Sequence, residues 1–143
     1  MSKTNDKLIY VASPYTYHPE TPNCKGGPRI KEMVEKRRYE QVLEFTARLF
    51  KDDVNLFSPV VYSHHIVQIS SMLGGEWEAW QAFDELMIRK SDALIVLCLD
   101  GWKESVGVSA ELERADNIGL PLHFYDIDLI DRGLLLSAFI DEL

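Results

Sequence analysis

Cysteine is scarce in this sequence: only Cys24 and Cys98 occur in 143 residues. Cys24 sits in a Gly/Pro-rich stretch and Cys98 in an apolar run, with no framework spacing. Free thiols and a reducing compartment are therefore expected. No apolar stretch approaches the roughly 18 residues that a membrane span needs, so no membrane partner is expected. The opening MSKTNDK lacks an apolar signal core, and a cytoplasmic location is the expectation. Basic residues are in deficit, 15 Lys and Arg against 23 Asp and Glu, for a net charge of −8. That balance disfavours nucleic acid, because phosphate backbones attract basic surfaces. A single small phosphorylated ligand held by a few local groups stays compatible with it. There is no GxGxxG and no Walker A pattern, so neither a dinucleotide nor a triphosphate site is indicated. His64-His65 has no third ligand at usable spacing, and neither a metal nor another cofactor is expected. Internal repeats and low-complexity segments are also missing.

What is present is an alternation of short apolar runs and helical patterns. Residues 8–12 (LIYVA) read as a buried strand that breaks at Ser13-Pro14. Residues 14–28 are rich in Pro, Gly, Thr and Asn and read as a mobile loop. Over 29–51, Val34, Val42, Phe45 and Leu49 share one helical face. Residues 54–61 (VNLFSPVV) read as a second strand and 77–90 as a helix. Residues 93–99 (ALIVLCL) have the continuous β-branched character of a central parallel strand. A helix over 106–118 is closed by Gly119 and Pro121. A fourth strand over 122–126 and a terminal helix over 134–143 complete the chain. This alternation predicts one α/β domain across 1–143. Its architecture is a doubly wound, mainly parallel sheet, flavodoxin-like or Rossmann-like, with helices on both faces. Ligands bind such sheets beyond the carboxyl ends of the strands, which directs attention to 13–28, 59–66 and 100–111.

Two carboxylates fall where apolar residues belong. Helices turn by about 100° per residue. On the helix after Leu99, Val108, Leu112, Ala115 and Ile118 form an apolar arc that includes Glu111. On the preceding helix, Asp84 lies within the arc of Trp77, Trp80, Met87 and Ile88. An unpaired buried carboxylate costs several kcal/mol, so each needs either a cationic partner or a functional reason. Arg38, on the otherwise apolar face of the 29–51 helix, is one candidate partner. Two carboxylates in unequal surroundings can divide into an acid and a nucleophile, as in retaining glycosidic chemistry. The loop Asp100–Val108 runs from a strand end through Gly101 and Ser105 into a helix N-terminus. Backbone N–H groups and the helix dipole there favour an anion, and Ser105 is either a plain N-cap or a phosphate ligand.

These residues carry a resemblance. The segments Ser91–Leu97 and Ser105-Val106-Gly107-Val108-Ser109-Ala110-Glu111 resemble the nucleoside 2-deoxyribosyltransferase superfamily, including its nucleoside-monophosphate N-glycosidase branch. The likeness covers most of residues 8–122. It implies a glutamate nucleophile at Glu111, an acidic partner at Asp84 and an orienting tyrosine at Tyr10. It further implies cleavage or transfer of an N-glycosidic bond through a covalent glycosyl-glutamate. It also implies assembly as a homodimer or higher homo-oligomer, because neighbouring subunits complete the site in some relatives. Ser105 stands where the transferases carry an Asp for the sugar 5′-hydroxyl, and with Gly107 it is expected to hold a 5′-phosphate. The loop before Ser105 is about three residues longer than in the nucleotide hydrolases. Those enzymes carry small residues and an Arg after the first strand, where this chain reads Ser13-Pro14-Tyr15-Thr16. Arg38, Ser63 and His64 match positions shared by small relatives.

The substrate-binding expectation comprises Ser13, Tyr15, Arg38, Ser63, His64, Trp102, Ser105 and Gly107. Several of these have structural alternatives. Tyr10 can be a strand aromatic, Tyr15 can pack instead of stacking on a base, and His64 can cap a 66–73 segment instead of meeting a base. Trp102 is the favoured stacking residue, because a turn offers a Trp no core reason to be there. Trp77 and Trp80 read as core or interface, and Asp92 as structural. The alternative function is a non-catalytic nucleotide-binding or sensing module on the same fold. A phosphoacceptor receiver is disfavoured, because Ala12-Ser13 supplies no acidic pair for Mg²⁺.

Overall fold

The structure is a computed structural model that describes residues 6–17, 28–70 and 77–143. Strand β1 (Leu8–Ala12) opens the fold, followed by helix α1 (Pro28–Lys51) and strand β2 (Asn55–Phe57). Helices α2 (Pro59–Ser70) and α3 (Trp77–Lys90) lead to strand β3 (Ala93–Cys98). A single 3₁₀ turn (Trp102–Glu104), helix α4 (Val106–Asn117), strand β4 (Leu122–Asp126) and helix α5 (Arg132–Asp141) complete it. The sheet order is β2-β1-β3-β4 and every pairing is parallel. This is an α/β fold with a single parallel sheet, as the alternation of elements predicts. Among the described residues, no helix is long and apolar enough to cross a membrane.

Each buried strand must satisfy both sheet faces, and the period of two divides its side chains between them. Ile9 and Val11 of β1 join Val42, Phe45 and Leu49 of α1 and Leu136 and Ile140 of α5. Tyr10 and Ala12 join Ile88 of α3 and Val108 and Ala115 of α4. The strand order reverses between β1 and β3, which leaves a crevice at their carboxyl ends. Both expected carboxylates ride on α3 and α4, the helices covering Tyr10.

Three expectations need correction. The strand expected over 54–61 ends at Phe57. Ser58 and Pro59 instead start α2: the Ser58 hydroxyl accepts from Val61 N at 3.1 Å, and proline occupies the first helical position, where its missing N–H is harmless. An apolar run containing Ser-Pro is therefore a strand stop and a helix start. The last helix begins two residues before the expected 134. β3 stops at Cys98, one residue before the expected end. Most of the 14–28 loop, with Cys24, lies outside the described residues, as does the Trp77 side chain.

Candidate functional site

Tyr10 lies at the centre of β1, fully buried, and its ring crosses the α3/α4 side of the sheet. Its hydroxyl donates to Oε2 of Glu111 on α4. Burial drives the Tyr10 pKa far above the ordinary phenol value, and the Glu111 and Asp84 carboxyls add to the rise. The hydroxyl therefore remains a donor throughout the physiological range.

Glu111 sits on the same helical face as Val108 and Ala115, both buried. Burial pushes its carboxyl up to about 8; the Tyr10 hydrogen bond pulls it down, and Asp84 pushes it up again. Asp84 on α3 is raised to about 7 by burial. Its Oδ1 is buried and has no hydrogen-bond partner among the described residues. The only other such atom among the described side chains is Ser13 Oγ, just beyond the end of β1. The nearby cation Arg114 pairs with Glu85, joining α4 to α3 beside the carboxyls. Two half-buried acids that keep their protons to near neutrality can supply one acid and one base in a single event.

An aromatic wall adjoins this trio, and it has no counterpart in the expectations from sequence. The Phe57 ring lies 5.7 Å from Tyr10 and 6.0 Å from Phe83. Tyr62 stacks on Phe83 at 5.3 Å and 17°. Tyr62 belongs to α2, so reading residues through 61 as strand hid it. Phe83 precedes Asp84 directly, and that adjacency was a usable signal.

Other expected residues gather on a different side. Arg38 meets neither carboxyl in the contacts that set their pKa values; its guanidinium turns to backbone carbonyls. Nη1 donates to Tyr15 O at 3.2 Å and Thr16 O at 3.0 Å, and Nη2 donates to Asp100 O at 3.1 Å. The Tyr15 hydroxyl lies 2.8 Å from His64 Nδ1, and Tyr39 stacks on the His64 ring at 3.8 Å. His64 is inside α2, so it caps no 66–73 segment. Ser63 is partly buried beside it. Tyr15, Arg38 and His64 thus gather beside α1 and α2, and none of these contacts includes Tyr10 or Glu111.

At the other end of the crevice, Ser105 caps α4 by accepting from Val108 N at 3.2 Å. A Cβ at Gly107 would meet only Ser105 Oγ, at an ordinary 3.8 Å, so backbone sterics do not demand glycine there. Trp102 does have a core role: it packs on the α3/α4 cluster, with Phe124 at 5.6 Å. The turn places it beside Phe124 of β4, so the ring has a packing role that the turn alone did not suggest. Asp92 is structural, as expected, accepting from Leu8 N at 2.8 Å. Cys98 is a buried free thiol whose pKa burial raises to about 11, which keeps it protonated and inert.

Two cavities lie elsewhere. One of about 950 Å³ opens between α1 and α5, with Arg48, Leu97, Tyr125, Arg132 and Leu136 in its wall. The other, about 640 Å³, is bordered by Tyr15, Glu35, Tyr39, His64 and His65. Neither is bordered by Tyr10, Asp84 or Glu111. Among the described residues, no three His, Cys, Asp or Glu side chains converge on a common point.

Residues 7–127 match the model of the family described as Domain of unknown function (DUF1937). None of the curated proteins matches the chain.

Proposed function

The chain belongs to the DUF1937 family, and from the geometry around Tyr10 we propose that it is an enzyme acting on the N-glycosidic bond of a nucleoside or nucleoside 5′-monophosphate. The observation that carries this is the Tyr10 hydroxyl on Glu111, with Asp84 on α3 close enough to raise the Glu111 pKa and with no partner for its Oδ1 among the described residues. Tyr10 fixes one carboxylate oxygen of Glu111, and the other attacks the anomeric carbon. As that bond forms, the bond to the base nitrogen breaks and its electron pair leaves with the base. The reacting form is the singly protonated pair with Glu111 ionised and the proton on Asp84, which gives it to the departing base. Water or a second base then attacks the anomeric carbon and releases Glu111. The wall of Phe57, Tyr62 and Phe83 offers the base an aromatic surface beside Asp84. The Ser105 cap and the first turn of α4 offer N–H groups to the 5′ end.

The test is release of free base from a panel of nucleosides and 5′-monophosphates, with Glu111→Ala as the control. Wild type should release base from at least one member, and the variant should lose at least about 10³-fold in kcat while keeping a native thermal transition. Equal activity of the variant would remove Glu111 from the chemistry. Tight ligand binding without base release would favour a nucleotide-sensing module.

A further inference from the structure

Strand β1 and strand β3 are neighbours, and both deliver chain into the crevice. Beyond β1 the backbone continues without regular structure through residues 13–17, and beyond β3 it turns at Asp100-Gly101 toward α4. Backbone carbonyls in such segments need donors. Helix α1 supplies them from one face. At positions 31, 35 and 38, spaced by four and three residues, Lys31 donates to Tyr17 O at 3.0 Å and Glu35 accepts from Tyr17 N at 2.9 Å. Arg38 takes the carbonyls of Tyr15 and Thr16. Arg38 alone of these also reaches the second segment, through Nη2 to Asp100 O.

Gly101 is fitted to that arrangement. Its φ of +87° is one that L side chains rarely adopt, and a Cβ there would lie 2.5 Å from Arg38 Nη2. The turn and the guanidinium therefore occupy adjoining space with no room for a methyl group. The planar fork aims one nitrogen at each segment, a geometry that a lysine ammonium cannot reproduce.

We propose that Arg38 is a positioning residue that pins the segment after β1 to the turn after β3 and so fixes the relation of Tyr10 to Glu111. The turn at Asp100-Gly101 feeds the 3₁₀ turn and the Ser105 cap, which set the start of α4 and hence the place of Glu111. Tyr10 lies on the strand feeding the other pinned segment. Arg38 thus closes, through backbone, the same pair of elements that the Tyr10–Glu111 hydrogen bond closes through side chains. The catalytic part of this inference rests on the proposed glycosidic reaction; the pinning itself does not.

Two measurements on the full chain separate those parts. Hydrogen–deuterium exchange of Arg38→Ala should rise together in residues 15–17 and 100–104, while β3 stays protected. A rise in one segment only, or in neither, overturns the clamp whatever the activity of the protein. In the base-release assay, Arg38→Ala should lose about tenfold or more in kcat with KM changed by less than about threefold, and Arg38→Lys should not recover it. Added guanidinium should restore part of the lost kcat to Arg38→Ala and none to wild type. An unchanged kcat, or a loss confined to KM, overturns the positioning role. If wild type releases no base, the proposed reaction fails and exchange alone decides the clamp.

Discussion

Glu111 and Asp84 stand out in the sequence because an apolar arc at helical spacing has no ordinary place for a carboxylate. The structure explains the anomaly in Glu111 through Tyr10, a residue that its own strand would accept as simple core. Arg38 shows what such periodicity cannot reveal. Its position on an apolar face was legible, but its partners are backbone carbonyls, which carry no residue identity. The packing of Trp102 on Phe124 was hidden for a related reason: sheet order alone makes them neighbours. The pair Glu111 and Asp84 titrates near 8 and 7. The proposed reaction needs one carboxyl ionised and one protonated, the singly protonated pair. The pH profile of kcat/KM, which reports the free protein's groups, should therefore be a narrow bell, highest roughly between pH 7 and 8, whichever carboxyl holds the proton. A profile flat from pH 5 to about 9 would separate these carboxyls from the rate-limiting step.

Among the elements, those with continuous apolar runs or a full helical face were legible from sequence. β1 and β4 fall where the sequence puts them, α3 likewise, and α1 within one residue. β2 lies inside the expected 54–61 strand, but its end at Phe57 was not legible, because three paired residues are too few to display a period and Pro59 suits a first helical turn as well as a strand end. The start of α4 was legible from Ser105, whose hydroxyl accepts the N–H three residues on. Ser105→Ala should cost about 1 kcal/mol of unfolding free energy, read by denaturant titration. Ser105→Asp should keep the cap and the stability, yet raise KM for a 5′-monophosphate more than for the matching nucleoside, since a carboxylate repels phosphate. Equal KM changes for the two substrates would remove the 5′ end from this helix terminus.

At the scale of the whole molecule, a parallel sheet with a reversal of strand order places one crevice between β1 and β3, and the carboxyl-bearing helices cover one side of it. The parallel sheet follows from strand–helix alternation; the place of the reversal comes from the structure. The gathering of Tyr15, Arg38 and His64 beside α1 and α2 does not follow from the alternation either, because it depends on which sheet face each helix takes. Holding Asp84 in this setting costs stability. Its folded pKa is raised to about 7, above the unfolded value near 4. Below both values the carboxyl is protonated in either state and no penalty exists. As pH climbs between them, the unfolded chain ionises first and stability falls, levelling off above the folded value. Asp84→Asn should remove that fall, so its thermal midpoint should gain on wild type as pH rises from about 4 to 8, by several degrees for a domain of this size. A gain independent of pH would contradict the assigned cause. The central claim is that Glu111 becomes covalently attached to a sugar. Intact-protein mass spectrometry after rapid quenching with nucleosides and 5′-monophosphates tests it most directly. The expected result is a pentose or pentose-phosphate adduct that peptide mapping places on Glu111, absent from Glu111→Ala. Base release without any adduct on Glu111, or an adduct on another residue, would contradict it.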